Sequence, residues 1–212
     1  MFYLHGYSFG LIAIHLVIIT MFLMLALEDI KTFTIPDRLS VPSIGLTGLI
    51  IIAMHSVEIP GLLLPLREAL IGGIIGMLFY MLQMMIPGIL SLLRKKQFSD
   101  VFSVLFLPFV FPFWLVMKTF FGEKQADRWI PTVQKMDQLP TWVGGGDVRL
   151  GIFLGLIVGP VYFWWVIGIG YVLGTLFWLF SRVIQKRDFD VLPVAPLLFL
   201  GFCATWLIQI FS

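Results

Sequence analysis

The sequence predicts an all-α polytopic membrane protein with about six transmembrane helices. Three observations carry that prediction: long uncharged runs, a charge content about half that of soluble domains, and lysines and arginines gathered in the gaps between particular runs. Of the 212 residues, 59% are hydrophobic and 12% are charged, against roughly 25% charged in soluble domains. Mean hydropathy is +1.01. A domain of this size leaves much of its surface in water and could not hide so much apolar area in one core. The composition therefore excludes a soluble enzyme, a disordered chain and a nucleic-acid binder. The net charge of +2 is too small to suggest general phosphate binding, and the single cysteine, Cys203, allows neither an internal disulfide nor a CxxC zinc site. No metal or cofactor is expected.

A hydrocarbon core about 30 Å thick takes roughly 20 helical residues to cross. Uncharged runs cover Tyr7 to Leu27, Leu39 to Val57, Ala69 to Leu93, Val101 to Met117, Leu150 to Ser181 and Val191 to Ser212. A cleaved signal peptide is not expected, because no Lys or Arg precedes the first run and no small-x-small site follows it. The basic residues cluster at Lys31 and Arg38, across Arg94 to Arg149, and at Arg182, Lys186 and Arg187. The positive-inside rule makes these segments cytoplasmic.

That topology constrains the two odd runs. Leu150 to Ser181 begins and ends in cytoplasmic charge, so it should cross twice, with Gly159-Pro160 as the break. Its first half, Val148 to Val158, reaches only about 17 Å, so its outer end should stop inside the bilayer. Val101 to Met117 also has basic residues on both sides and contains Pro108 and Pro112. It reads as a broken hairpin, re-entrant or interfacial, within a cytoplasmic insert over 97–139. The whole chain, 1–212, is then one membrane-embedded domain.

Carboxylates at membrane depth are costly and are candidates for function. Glu28-Asp29 lies at the cytoplasmic end of the first helix. Asp147 follows Gly144-Gly145-Gly146 at the cytoplasmic start of the fourth. Three glycines make a flexible turn that can bring backbone close to a substrate. Gly151, Gly155 and Gly159 then share one smooth face, and Gly72 with Gly76, and Gly170 with Gly174, repeat the spacing. Such faces let membrane helices approach closely, and a tight bundle could bring Asp29 and Asp147 together. Two facing aspartates cannot both ionise easily, so one keeps its proton and the pair can act as general acid and base. No HExxH competes. Gly6-Tyr7-Ser8-Phe9-Gly10 matches G-x-S-x-G but lacks its strand–turn–helix setting.

Two segments resemble the signatures of type IV prepilin peptidases. Asp29-Ile-Lys-Thr-Phe-Thr-Ile35-Pro36-Asp37 is similar to the first, an aspartate followed at short range by Leu/Ile-Pro-Asp/Asn. Gly144-Gly145-Gly146-Asp147-Val148-Arg149-Leu150 is similar to the second, G-x-G-D followed by Val-Lys-Leu, with Arg149 keeping the charge of the usual lysine. Leu192-Pro193-Val194-Ala195-Pro196-Leu197 is similar to the segment that opens the family's last helix. The resemblance implies a membrane aspartic endopeptidase in a prokaryotic cytoplasmic membrane, with Asp29 and Asp147 as catalytic pair and Gly144, Gly146, Pro36, Asp37 and Arg149 in support. It implies pilin-like precursors with basic leader peptides as substrates, contact with membrane lipid, and pilus or secretion assembly machinery as a further partner; no nucleic acid is implied. Glu28, Asp29, Asp37 and Asp147 would attract the basic leader. Many bacterial members carry a cysteine-rich zinc domain associated with N-methylation; one cysteine cannot build it, so methyltransferase activity is not expected. Two other readings are a presenilin or signal-peptide-peptidase type GxGD protease, whose Tyr-Asp and Pro-Ala-Leu motifs this chain lacks, and a non-enzymatic transporter.

Overall fold

The structure is a computed structural model that describes residues 9–57, 65–130, 139–141, 143–184 and 193–211. The N-terminal segment, the loop at Glu58, part of the insert and the loop holding Lys186 and Arg187 lie outside the described residues. Among the described residues every regular element is a helix: α1 (Phe9–Thr32), α2 (Asp37–Val57), α3 (Leu66–Arg94), α4 (Phe98–Leu105), α5 (Leu107–Phe121), α6 (Glu123–Trp129), α7 (Gly145–Ile184) and α8 (Val194–Phe211). Four stretches are long and apolar enough to cross a bilayer: Ala13–Thr32, Asp37–Met54, Leu66–Arg94 and Gly145–Val183. That is consistent with an all-α membrane protein. Some hydroxyls within them bond back to the carbonyl one turn earlier, as Thr20 does to Leu16 and Thr175 to Tyr171, which satisfies polar groups where no water is at hand.

The chain forms two compact units. The first takes residues 1–77 and 149–212, the second residues 78–148.

The first unit contains α1, α2, the start of α3, most of α7, and α8. Its core closes at glycines. A Cβ at Gly72 would meet the Gly155 carbonyl and lie 2.7 Å from Gly159 Cα, and one at Gly76 would strike the Gly151 carbonyl. The glycine faces read from sequence therefore pack against each other, α3 on α7. Gly170 and Gly174 approach Leu197 and Leu198 of α8, and Gly201 of α8 answers with a close approach to Val166 and Gly170. Nearby, the Phe22 ring of α1 meets Phe153, Phe199 and Phe202 at 5.3–5.7 Å between centroids, an edge-on and tilted set of the kind aromatic quadrupoles favour. Within α7, Gly159 takes φ 72° and ψ −179°, a conformation open to glycine. Pro160 follows it, so the helix breaks at the expected residue.

The second unit holds the rest of α3, the helices α4 to α6, and the start of α7. The insert differs from the hairpin expected at the prolines. Pro108 sits in the first turn of α5, where its missing N–H costs nothing, and Pro112 is carried inside α5. Phe106, between α4 and α5, stays near helical at φ −80° and ψ −8°. The chain turns back instead at Gly122, φ 85°. There α6 returns along α5: Trp114 Nε1 donates to Asp127 at 2.9 Å, Lys118 pairs with Glu123 at 3.3 Å, and the Lys118 ammonium lies 4.9 Å from the Trp114 ring centroid. Val104, Leu107, Phe111 and Trp114 are buried, while Phe102, Phe106, Phe109, Phe113 and Phe120 are exposed. Both sets recur at three- and four-residue spacing, the mark of two helical faces.

Candidate active site

Asp29 lies one turn from the end of α1 and is 4% exposed. Its Oδ2 accepts the Ala195 N–H at 2.9 Å. Ala195 is the second residue of α8, where backbone donors have no partner inside the helix. The flanking Pro193 and Pro196 carry no N–H, so this short stretch offers few donors and one of them holds Asp29. The carboxylate of α1 thus caps α8 from another part of the chain.

α1 ends three residues later, at Thr32. Phe33 adopts φ 52° and its N–H closes on the Asp29 carbonyl at 2.8 Å. This is the left-handed stop usually made by glycine, and on a bulky residue it carries strain on the order of 1 kcal/mol. The chain then passes through the buried Ile35 to Pro36, whose carbonyl accepts from Leu39 and Ser40 at 3.1 Å as α2 begins. Asp37 opens α2. Arg149, from α7, reaches this loop: its Nη2 donates to the Ile35 carbonyl at 3.2 Å and pairs with the Asp37 carboxylate. The Arg149 side chain is 7% exposed and that of Asp37 38%. On the outer side of the loop, Arg38 pairs with Glu28 at 2.8 Å.

These pairings change the electrostatic picture drawn from sequence. Two of the four carboxylates expected to attract a basic leader, Glu28 and Asp37, each face an arginine. The negative field they offer is smaller than their number suggests.

Asp147, in the second unit, is the third residue of α7. Its Oδ2 accepts the Gly144 N–H at 2.8 Å, and its own N–H donates to the Gly144 carbonyl at 3.1 Å. The carboxylate makes the returning half of a capping box; glycine has no side chain to supply the other half, and the Asp147 N–H closes a backbone turn instead. Gly145 and the half-buried Gly146 are wound into the first helical turn rather than forming an open loop.

Comparison with known families, curated proteins and solved structures finds no match.

Within the first unit, residues of the three segments singled out in the sequence are thus tied to one another. Arg149 of the second signature holds Ile35 and Asp37 of the first, and Asp29 of the first holds Ala195 of the last-helix segment. Pro36 is part of the loop that Arg149 fastens. Ala195 was not a site residue on sequence grounds; the Pro-Val-Ala-Pro stretch, which strips donors from a helix start, was the available signal. Beside it, Val194, Leu197, Leu198, Tyr171, Gly174 and Trp178 line an apolar cavity of about 380 Å³.

Proposed function

We propose that this protein is a membrane aspartic endopeptidase that removes the basic leader from pilin-like precursors at the cytoplasmic face of a prokaryotic membrane, with Asp29 and Asp147 as its acid–base pair. The observation that carries the reading is the double tie described above: Arg149 to Ile35 and Asp37, and Asp29 to Ala195. Segments far apart in the chain are fastened by polar contacts in which Asp29 and Arg149 are buried.

In this reading the ionised aspartate takes a proton from water as the water oxygen attacks the scissile carbonyl. The protonated aspartate donates to the carbonyl oxygen, and a proton passes to the leaving amine as the C–N bond breaks. Arg149 fixes the loop that follows Asp29, and Ala195 fixes the orientation of the carboxylate. The cavity beside Val194 is apolar and suits a hydrophobic segment next to the cut. Six crossings follow if α1, α2, α3, both arms of α7 and α8 each span. The arm over 145–158 reaches only about 21 Å and would end within the bilayer. The exposed phenylalanines of α4 and α5 support reading this part of the insert as an interfacial element.

The test is cleavage of a pilin-like precursor in membranes by Asp29→Asn and Asp147→Asn. Both should be inserted normally and inactive. Cleavage near the wild-type rate by either removes that residue from the chemistry.

A further inference from the structure

The end of α3 carries a second polar site, in the other unit. A cavity of about 400 Å³ is lined by Pro87, Leu90, Ser91, Arg94, Lys95 and Pro140. That volume falls in the range of small-molecule sites, about 300–1,000 Å³. The lining divides by chemistry. Pro87, Leu90 and Pro140 present carbon; Ser91, Arg94 and Lys95 present donors, two of them cationic.

The ordinary role of basic residues at a helix C-terminus is to satisfy its last carbonyls. Here backbone already does so. The Ser91 carbonyl accepts from Lys95 N–H at 3.1 Å, Leu92 from Gln97 at 3.0 Å and Leu93 from Lys96 at 3.0 Å, with Lys96 at φ 59°. This is a Schellman stop built without glycine. No carboxylate among the described residues pairs with Arg94 or Lys95. The two cations are exposed at a cavity mouth, and among the described residues they serve neither a cap nor an ion pair.

A small soluble anion would need only the donors. The carbon lining asks for more. Leu90 is 49% exposed, and with Pro87 it belongs to the stretch Leu66–Arg94 that is long and apolar enough to cross a bilayer. Donors at the end of such a helix, with apolar surface on its bilayer side, match an amphiphile with an anionic head.

We propose that this cavity binds the headgroup of an anionic glycerophospholipid, with the phosphate between Arg94 and Lys95 and the glycerol and acyl stems along Leu90 and Pro87. Pro140 forms the facing wall, four residues before Gly144, so an occupied cavity also braces the chain that leads into α7. The site does not depend on the peptidase reading.

The experiment reads lipid labelling, not cleavage. The full-length protein is placed in phosphatidylcholine nanodiscs containing a trace of photoactivatable phosphatidylglycerol, and labelled peptides are identified by mass spectrometry. Label should appear on the segment around Leu90 to Lys95. Arg94→Gln with Lys95→Gln should lower it at least about fivefold, the factor that one surface basic residue contributes to anionic-lipid binding, while Arg94→Lys with Lys95→Arg should retain it. Both side chains are exposed, and an unchanged elution profile verifies the fold. Equal labelling by a photoactivatable phosphatidylcholine, or undiminished labelling of the glutamine variant, overturns the proposal. Unlabelled phosphatidylglycerol should displace the label and millimolar inorganic phosphate should not. Displacement by phosphate alone would make this a free-phosphate site and overturn the lipid assignment.

Discussion

Arg149 and Asp37 form an ion pair in which the guanidinium is almost wholly buried, and the same nitrogen that meets the carboxylate also donates to the Ile35 carbonyl. Both of these contacts come from one terminal nitrogen, so neither of them depends on the planar fork. A lysine ammonium, with three donors, can serve the same two acceptors. Arg149→Lys should therefore retain cleavage within a few-fold. Arg149→Gln, which loses the charge, should unfold at lower temperature and cleave poorly; hydrogen bonds to charged groups contribute about 1.5–3 kcal/mol, and the half-open Asp37 puts the loss at the lower end. In a double-mutant cycle with Asp37→Asn, a coupling near zero would show that the pair does not hold the loop.

Asp29 has both a structural and a proposed chemical role, and two substitutions separate them. Asn at 29 keeps an oxygen for the Ala195 N–H but cannot shuttle a proton, so the fold should survive while cleavage stops. Leu at 29 removes the acceptor and leaves a buried N–H unpaired, at a cost of about 1–3 kcal/mol. Thermal unfolding in detergent should rank wild type and Asn together and Leu below. If Asn is as unstable as Leu, loss of activity at this position reports on folding alone.

The glycine contacts give a purely steric prediction. A Cβ at Gly155 would lie 2.8 Å from the Gly73 nitrogen and nearer still to the Gly72 carbonyl, so Gly155→Ala must push α3 and α7 apart. Overpacking of this kind costs about 1–3 kcal/mol. Gly48, with nothing within 4 Å of its Cβ position, is the control: Gly48→Ala should be neutral or slightly stabilising. Equal melting temperatures for the two variants would remove the glycine contact from the account of the fold.

Helix existence was legible because hydropathy is one-dimensional: an uncharged run of about 20 residues has few other options. Gly159 was legible too, since a glycine before a proline marks a break whatever surrounds it. The insert was not. Proline in sequence suggests a turn, yet Pro108 and Pro112 are absorbed into α5, and the reversal falls at Gly122, whose positive φ leaves no mark in the sequence. At the site, the acidic residues were visible but their partners were not. That Glu28 faces Arg38 and Asp37 faces Arg149 depends on side-chain reach across helices, which no local spacing encodes. The use of the Ala195 N–H is harder still, because a backbone donor leaves no mark in composition.

Topology can be checked without any substrate. In a Cys203→Ser background, single cysteines at Gln97 and Lys124, both at exposed positions, should react with an impermeant maleimide from the cytoplasmic side only. Labelling of one from each side would mean that the segment between them crosses the bilayer, and the count of crossings before α7 would change by one.

The last prediction concerns the exposed phenylalanines of the insert. Phe109 is 79% exposed and Phe120 77%, and with Phe102, Phe106 and Phe113 they form one face opposite the buried Val104, Leu107, Phe111 and Trp114. In water each such ring forfeits on the order of 2 kcal/mol of burial, so five together are costly unless the bilayer covers them. α5 has 15 residues, about 22 Å, which is short of a full crossing; lying in the interface buries one face and leaves the other on α6. The charge pattern agrees, with Lys95 and Lys96 before the stripe and Lys124 and Arg128 after it, at the level of anionic headgroups. An environment-sensitive fluorophore on a cysteine at 109 should therefore emit blue-shifted and be quenched by spin-labelled acyl chains, more strongly by labels near the headgroup than by labels at the bilayer centre. The same probe at 124 should report water. Strongest quenching of the 109 probe at the bilayer centre would make this segment a deep re-entrant element, and no quenching at either depth would mean that something other than lipid covers the stripe.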